Sequence, residues 1–207
     1  MAIELYSFPR SSGTRVSWAL EELALPYRFI EIDLKKKEQL SPAYLAIDPH
    51  GKVPALVDGE QRFFESIAIL LHLAHRYAVD KGMWPAPGSA LRADAISWLV
   101  WSGTELSPHM MQYVYHGLDS PFSYKPEDRS GACAEYNRGQ FERMLRTLEE
   151  RFSDREWLVG SGFTLADLAC AGALGFGMLC GIGLGDYPKT AAWVKRCGDR
   201  PARARAR

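Results

Sequence analysis

The first thirty-three residues show the pattern of a strand, a helix and a second strand. The short stretch Ile3–Ser7 is strand-like and stops at Pro9, and Tyr27–Asp33 alternates apolar and polar residues. Between them, four apolar residues recur at the spacing of one helix face: Val16, Ala19, Leu20 and Leu23. A strand, a helix and a strand at this spacing predict parallel pairing with a right-handed crossover. This unit limits the first part of the chain to an α/β fold.

A proline and a tight turn predict the next two strands. The segment Val53–Val57 has a strand-like composition, Asp58-Gly59 is a hairpin signal, and Gln61–Phe64 can form the returning strand. Proline is tolerated at the first residue of a strand, where pairing needs no N–H. Pro54 therefore marks a strand start and leaves the backbone of Val53 free for another partner.

Two more helices complete this part of the chain. A short helix is predicted over 42–47, and a longer one follows the hairpin. The expected apolar face of the longer helix is Ile67, Leu70, Leu71 and Ala74. The predicted order of the first eighty residues is thus β-α-β-α-β-β-α.

Strand patterns disappear after a segment rich in proline and glycine, between Ala78 and Ser89. Helices are predicted over 89–116 and 130–152, from about 163, and from about 188. The second of these has a clear apolar face: Phe141, Met144, Leu145, Leu148 and Phe152. Thr164 and Asp167 have the spacing of a capping box at the start of the third. We therefore expect an α/β domain over 1–79, a linker over 80–88 and an all-helical domain over 89–207.

The composition gives no indication of a protein that binds nucleic acid or an anionic membrane. Net charge is zero, from 25 basic and 25 acidic residues, so nothing points to nucleic acid or an anionic membrane. The start MAIELYSFPR lacks the pattern of a signal peptide, and we expect none.

The uncharged residues 168–184 approach the length of a membrane span, but Asp167 and Asp186 bracket them and five glycines interrupt them. We expect a buried helix there.

The four cysteines occur singly along the chain: Cys133, Cys170, Cys180 and Cys197. Without a CxxC pair, neither a zinc site nor a thioredoxin-type redox pair is indicated. We expect buried, reduced cysteines in a cytoplasmic protein, and no metal.

Four motifs occur in a fixed order along almost the whole chain. They are SSGTRVSWALEEL from Ser11, PHGKVPAL from Pro49, ESIAIL from Glu65 and FTLADL from Phe163. Together with the order of elements, they resemble the cytosolic glutathione transferases, in particular bacterial members of the delta- and theta-like type that uses a serine. The resemblance implies a thioredoxin-like N-terminal domain, an all-α C-terminal domain, and glutathione as co-substrate.

The resemblance also implies which residues hold glutathione. The Pro54 peptide is expected to be cis, so that the backbone of Val53 pairs with the cysteinyl part of glutathione like one more antiparallel strand. Ser66 and its N–H, at a helix start, can hold the γ-glutamyl carboxylate, and Glu65 can pair with the ammonium of the same group. Lys52, or alternatively His50, is placed to meet the glycyl carboxylate.

A free thiol of this kind has a pKa near 8.5, so it needs activation at neutral pH. A hydroxyl that donates a hydrogen bond and a helix N-terminus both favour the thiolate. Ser11, four residues before Arg15 and just ahead of the first helix, matches the catalytic serine of the family type. Ser12 remains an alternative, as do Tyr6 and Ser7, which end the first strand where the tyrosine-using classes of the family keep their hydroxyl. Ser11 and Ser12 could instead only cap the helix.

The resemblance places the pocket for the second substrate between the domains. The candidate residues are Phe8, Trp101, Glu105, Met110, Met111 and Tyr113, although Trp and Met at helical spacing more often pack in a core. The implied function is conjugation of glutathione to small hydrophobic electrophiles, a detoxification reaction, by a cytoplasmic homodimer. A glutathione-dependent isomerase or dehalogenase and a non-catalytic binding module are the alternatives.

Overall fold

The structure is a computed structural model that describes residues 3–207. It contains two compact units. The first comprises the chain up to Trp84 together with Arg200–Arg207, and the second comprises Pro85–Asp199. The first unit has a thioredoxin-like α/β fold and the second is all-helical, which confirms the predicted fold class.

The first unit is built on a four-stranded mixed sheet. Its strands are β1 (Ile3–Ser7), β2 (Tyr27–Glu31), β3 (Ala55–Asp58) and β4 (Gln61–Phe64), in the spatial order β2-β1-β3-β4. Strands β1 and β2 are parallel, while β3 is antiparallel to both β1 and β4. The helices are α1 (Gly13–Glu22), α2 (Pro42–Leu45) and α3 (Ser66–Leu73), and a π-helical turn, Ala74–Ala78, extends α3. The predicted order of elements is confirmed.

The helix face predicted for α1 forms the core of this unit. Its four members, Val16, Ala19, Leu20 and Leu23, are all fully buried. On β1, residues Ile3, Leu5 and Ser7 are buried while Glu4 and Tyr6 on the other face are half-buried. Ser7 is thus a polar residue at the end of the buried face of β1.

The apolar face predicted for α3 is half right: Leu70 and Ala74 are fully buried, but the other two predicted members are not. Ile69 and Leu73 are fully buried, whereas the predicted Ile67 and Leu71 are half-buried. The helix is apolar around most of its circumference, so the sequence pattern does not select one face. Leu71 instead lines an open hollow on the surface of the unit.

The last eight residues pack on α1 and belong to the first unit, although the sequence predicts them as part of the helical domain. They include a short α-helix, Pro201–Arg205. Arg200 donates two hydrogen bonds to Glu22, at 2.7 and 2.8 Å, and Arg205 donates one to Glu21 at 2.9 Å. The acidic side of α1 therefore holds the arginine-rich segment.

The second unit contains five α-helices within the described residues. They are α4 (Leu91–Trp101), α5 (Ser107–Gly117), α6 (Gly131–Arg151), α7 (Leu165–Leu179) and α8 (Pro188–Gly198); the terminal helix of the first unit is accordingly α9. The single helix predicted over 89–116 is interrupted by a π-helical turn, Ser102–Leu106. Pro108 lacks the N–H that would continue the helix, which accounts for the altered turn before it.

Helices α6 and α7 both contribute buried faces to the second unit, where α6 packs on α5 and α7 packs on α4 and α8. The predicted face of α6 is confirmed, because Phe141, Leu145 and Leu148 are buried and Met144 and Phe152 nearly so. Helix α7 is buried as expected, but it ends at Leu179, and the rest of the uncharged stretch forms a loop. No helix in residues 3–207 is long and apolar enough to cross a membrane.

Asp167 organises the start of α7. The capping box is present: Asp167 Oδ2 accepts from the Thr164 N–H at 2.9 Å and from the Thr164 hydroxyl at 2.7 Å. Its other oxygen accepts from the Leu158 N–H at 2.8 Å and the Trp193 indole at 3.0 Å. One fully buried carboxylate thus satisfies four donors and ties α7 to α8 and to the preceding loop.

Replacement of Asp167 by Ala should lower the free energy of unfolding by about 3–5 kcal/mol, because several buried donors lose their partner. Urea unfolding followed by circular dichroism would measure this loss. Asp199→Ala is the control, since Asp199 is exposed and pairs with Lys195 one turn away. It should cost less than about 0.5 kcal/mol. Equal effects of the two substitutions would contradict the role given to Asp167.

Candidate functional site

The chain makes a tight turn between β1 and α1. The Ser11 N–H donates to the Phe8 carbonyl at 3.2 Å, and Arg10 in this turn has a φ of +62°. A positive φ is unfavourable for a side-chain-bearing residue and is often retained at functional sites. Ser11 is half-buried, and its oxygen accepts from the Gly13 N–H at 3.1 Å. Ser12 is exposed and its side chain makes no capping hydrogen bond.

Gly13 allows α1 to approach the sheet very closely. A Cβ atom at this position would lie 1.9 Å from Ser7 Oγ and 3.2 Å from Pro54 Cβ. Only a residue without a side chain fits such a contact. The start of α1 therefore lies directly against the end of β1 and the proline that precedes β3. The start of α1 thus meets both the nearby end of β1 and Pro54, which is distant in the sequence.

Tyr6 is engaged elsewhere. Its hydroxyl donates to Glu4 Oε2 at 2.7 Å, and its ring makes an edge contact with Tyr44. Burial and the hydrogen bond to Glu4 raise the pKa of the Tyr6 hydroxyl. It lies on the face of β1 opposite Ser7, whereas the Ser7 hydroxyl is 3.2 Å from Ser11 Oγ.

The loop before Pro54 is fixed by two residues that the sequence analysis did not identify. Asp48 is buried, and its two oxygens accept from the N–H groups of His50, at 2.9 Å, and Lys52, at 3.0 Å. The Tyr44 hydroxyl donates to the Lys52 carbonyl at 2.5 Å. Asp directly before proline is a turn signal in a sequence, and Asp48-Pro49 could have indicated this residue. The side chains of His50 and Lys52 are exposed.

The peptide bond between Val53 and Pro54 is cis, as expected. Val53 is half-buried and lies outside β3, which begins at Ala55. The backbone of Val53 is thus at the margin of the sheet, next to the proline that contacts the start of α1.

Helix α3 begins without a side-chain cap. Its N-cap residue is Glu65, which has a φ of +64° and makes no capping hydrogen bond. Uncapped N–H groups at a helix start bind anions readily, since the helix dipole adds to their effect. Ser66, the first helical residue, is 7% exposed, and Glu65 is exposed. Glu65, like Arg10 a non-glycine residue with positive φ, thus precedes a helix start that can accept a carboxylate.

Most residues considered for the second-substrate pocket are partly exposed, but Met110 is not. Met110 is 1% exposed, and its sulfur lies 2.5 Å from the position that a Cβ would take at Gly177. It is a packing residue between α5 and α7. The others are half-buried or exposed: Phe8, Trp101, Glu105, Met111 and Tyr113.

Trp101 and Glu105 line a hollow of about 610 Å³ on the helical unit. Its other walls come from α4 and α6 and include Trp98, Gln140 and Met144. No group of three His, Cys, Asp or Glu side chains that could hold a metal is found in residues 3–207.

Both parts of the chain match models of one protein family. The model described as "Glutathione S-transferase, N-terminal domain" matches residues 1–75. The model described as "Glutathione S-transferase, C-terminal domain" matches residues 106–201.

The alignments with individual relatives extend over nearly the whole chain. The chain is 32% identical to "Disulfide-bond oxidoreductase YfcG" of Escherichia coli K12, over 99% of this chain and 94% of that protein. It is 32% identical to "Glutathione S-transferase theta-1" of Mus musculus, over 95% of this chain and 82% of that protein. Among solved structures, the glutathione transferase URE2P8 of Phanerochaete chrysosporium with oxidized glutathione superposes with a TM-score of 0.87, at 28% identity, over 98% and 92% of the two chains.

Replacement of Gly13 by Ala should displace the start of α1, because the added Cβ would clash with Ser7. We expect a loss of about 1–3 kcal/mol in the free energy of unfolding. Gly139→Ala is the matched control, since Gly139 lies inside α6 and a Cβ there meets nothing within 4 Å. It should raise stability by about 0.5–1 kcal/mol, as expected for Ala in a helix. A gain in both variants, measured by urea unfolding, would show that the contact at Gly13 is not tight.

Proposed function

This chain belongs to the cytosolic glutathione S-transferase family, and from that premise we propose that it transfers the thiolate of glutathione to small hydrophobic electrophiles. The observation that supports this most strongly is the close contact of Gly13 with Ser7 and Pro54. It brings the turn that carries Ser11 next to the backbone that would hold the cysteinyl part of glutathione. We propose the serine-using type of catalysis for the same reason.

The peptide would be bound at three places on the first unit. The backbone of Val53 would pair with the cysteinyl part like an added strand. The uncapped start of α3, with Ser66, would bind the γ-glutamyl carboxylate, and Glu65 would bind its ammonium group. Lys52 or His50, both exposed, would meet the glycyl carboxylate. The hydrogen bonds that the N–H groups of His50 and Lys52 donate to Asp48 fix this loop.

The reaction needs the thiolate, which Ser11 would stabilise by donating its proton in a hydrogen bond to the sulfur. The start of α1 adds a favourable electrostatic contribution. The thiolate then attacks an electrophilic carbon: a carbon–sulfur bond forms, and the leaving group departs with its electron pair. The Ser11 hydroxyl keeps its proton throughout. Tyr6 is a poorer candidate because its hydroxyl already donates to Glu4.

Thiol–disulfide exchange is the second candidate. It is favoured by the relative named as a disulfide-bond oxidoreductase and by the similar structure solved with oxidized glutathione. The same thiolate would attack a disulfide sulfur, forming a mixed disulfide and releasing the other sulfur as a thiolate. The four cysteines of the chain all lie in the second unit, so this chemistry would use the thiol of glutathione itself. Assays with a disulfide and with a carbon electrophile would separate the two functions.

The protein partner that we propose is a second copy of this chain. The first unit has an open, mainly apolar hollow between β4 and α3, lined by Phe63, Ala68 and Leu71. The second unit has the hollow lined by Trp98 and Trp101. A two-fold dimer in which the first unit of each copy packs on the second unit of the other would cover both surfaces. Light scattering at micromolar concentration should give the dimer mass, and a monomer mass at all concentrations would contradict this.

We also propose that the protein works in the cytoplasm. All four cysteines are thiols in the structure, and three of them are buried. Thiols persist in a reducing compartment, whereas secreted proteins commonly pair them.

Replacement of Ser11 by Ala should raise the pKa of bound glutathione by about one to two units, because the anion loses one hydrogen bond. In an activity assay, the rising limb of the plot of kcat against pH should shift to higher pH by the same amount. Much of the lost activity should be recovered at high pH, where the thiol ionises without a hydrogen bond from Ser11. Glutathione affinity should change little, since the peptide is held at other places.

Ser12→Ala and Tyr6→Phe are the matched controls for this experiment. Both should leave the pH profile nearly unchanged, since the Ser12 side chain is exposed and the Tyr6 hydroxyl is bound to Glu4. A shift in one of the controls, with none in Ser11→Ala, would transfer the role to that residue. If the wild-type protein shows no glutathione-dependent activity, the non-catalytic binding module becomes the proposed function.

A further inference from the structure

We propose that Ser7 is a positioning residue for Ser11, because its buried hydroxyl directs the Ser11 proton toward the glutathione sulfur. The inference rests on the proposed function, in which Ser11 donates to that sulfur. Ser7 itself does not touch glutathione in this account. It acts through the 3.2 Å contact between its hydroxyl and that of Ser11.

The hydrogen-bonding capacity of the Ser11 hydroxyl limits what its proton can do. A serine hydroxyl has one proton to donate and two lone pairs that accept. The Gly13 N–H can only donate, and at 3.1 Å it occupies one lone pair of Ser11 Oγ. The contact with Ser7 therefore decides what the Ser11 proton does. If Ser7 donates, both lone pairs are filled and the Ser11 proton remains available for the sulfur.

The environment of Ser7 restricts it to this contact. Ser7 is fully buried, and within residues 3–207 its hydroxyl has no other hydrogen-bond partner. Its carbonyl accepts from the Ile32 N–H at 2.8 Å, which fixes the backbone at the end of β1. A buried hydroxyl without a partner is costly, so the pair stays bonded in one direction or the other.

A bound thiolate selects between the two directions. Before glutathione binds, either serine can be the donor in the pair. A negative sulfur beside Ser11 attracts the Ser11 proton, and Ser7 then supplies the proton of the Ser7–Ser11 bond. Hydrogen bonds in such a chain polarise one another, so the donation from Ser7 makes Ser11 a better donor. The lack of a side chain at Gly13 lets α1 come close enough for this arrangement.

Ser7→Ala tests the inference by the pH profile. Removal of one neutral hydrogen bond behind the donor should move the rising limb of kcat against pH upward by about 0.5–1 unit. Glutathione affinity should stay within about twofold. The charged groups on the surrounding segments, Arg10, Arg15, Lys52 and Glu65, are the same in every variant and cannot account for a difference between them.

A double variant separates positioning from simple loss of structure. In a background of Ser11→Ala, the further change Ser7→Ala should add no shift, because Ser7 then has no hydroxyl to direct. Ser102→Ala is the matched control, since Ser102 is equally buried and its hydroxyl donates to the Leu99 carbonyl. It should lower stability without moving the limb. A direct ultraviolet titration of the thiolate of bound glutathione gives the same readout without turnover.

The outcomes distinguish this inference from the proposed function. If Ser11→Ala leaves the thiol pKa unchanged, the proposed role of Ser11 fails, and the inference falls with it. If Ser11→Ala shifts the pKa and Ser7→Ala does not, only the inference about Ser7 is overturned. Additive shifts in the double variant would likewise overturn it, because Ser7 would then act independently of Ser11.

Discussion

The close approach of α1 to the sheet at Gly13 is the contact on which the arrangement of the site depends. A backbone without a side chain lies between Ser7 at the end of β1 and Pro54 before β3. Because these two residues are parts of the sheet and its margin, the helix start cannot move independently of them. The turn that carries Ser11 therefore has a defined position relative to the Val53 backbone. Neither segment alone would determine this position.

The rest of the first unit supports this contact from two sides. Buried Asp48 holds the loop that leads to Pro54, through two backbone N–H groups. On the far side of α1, Glu21 and Glu22 bind arginines of the C-terminal segment. Hydrogen bonds and ion pairs thus fix the segments that carry the residues proposed to bind glutathione. The positive φ angles of Arg10 and Glu65 indicate that local backbone strain is retained in these segments.

Periodic patterns and turn signals allowed much of the fold to be predicted. The α1 face, the hairpin and the capping box at Thr164 all depend on local sequence, and each is present in the structure. The buried face of α3 and the packing of Met110 depend on neighbours that a local pattern does not contain, and there the prediction failed or remained open. Family motifs pointed to Ser11 and Ser66, but the contact between Ser7 and Ser11 emerged only from the three-dimensional arrangement.

Isothermal titration with glutathione tests the central claim most directly, since the account requires a peptide site on the first unit before any chemistry. The wild-type protein should bind glutathione with saturation. Ser66→Ala, which removes one donor to a carboxylate, should bind about ten- to a hundredfold more weakly. Absence of binding to the wild-type protein at millimolar glutathione, or equal affinity in the two proteins, would contradict the account.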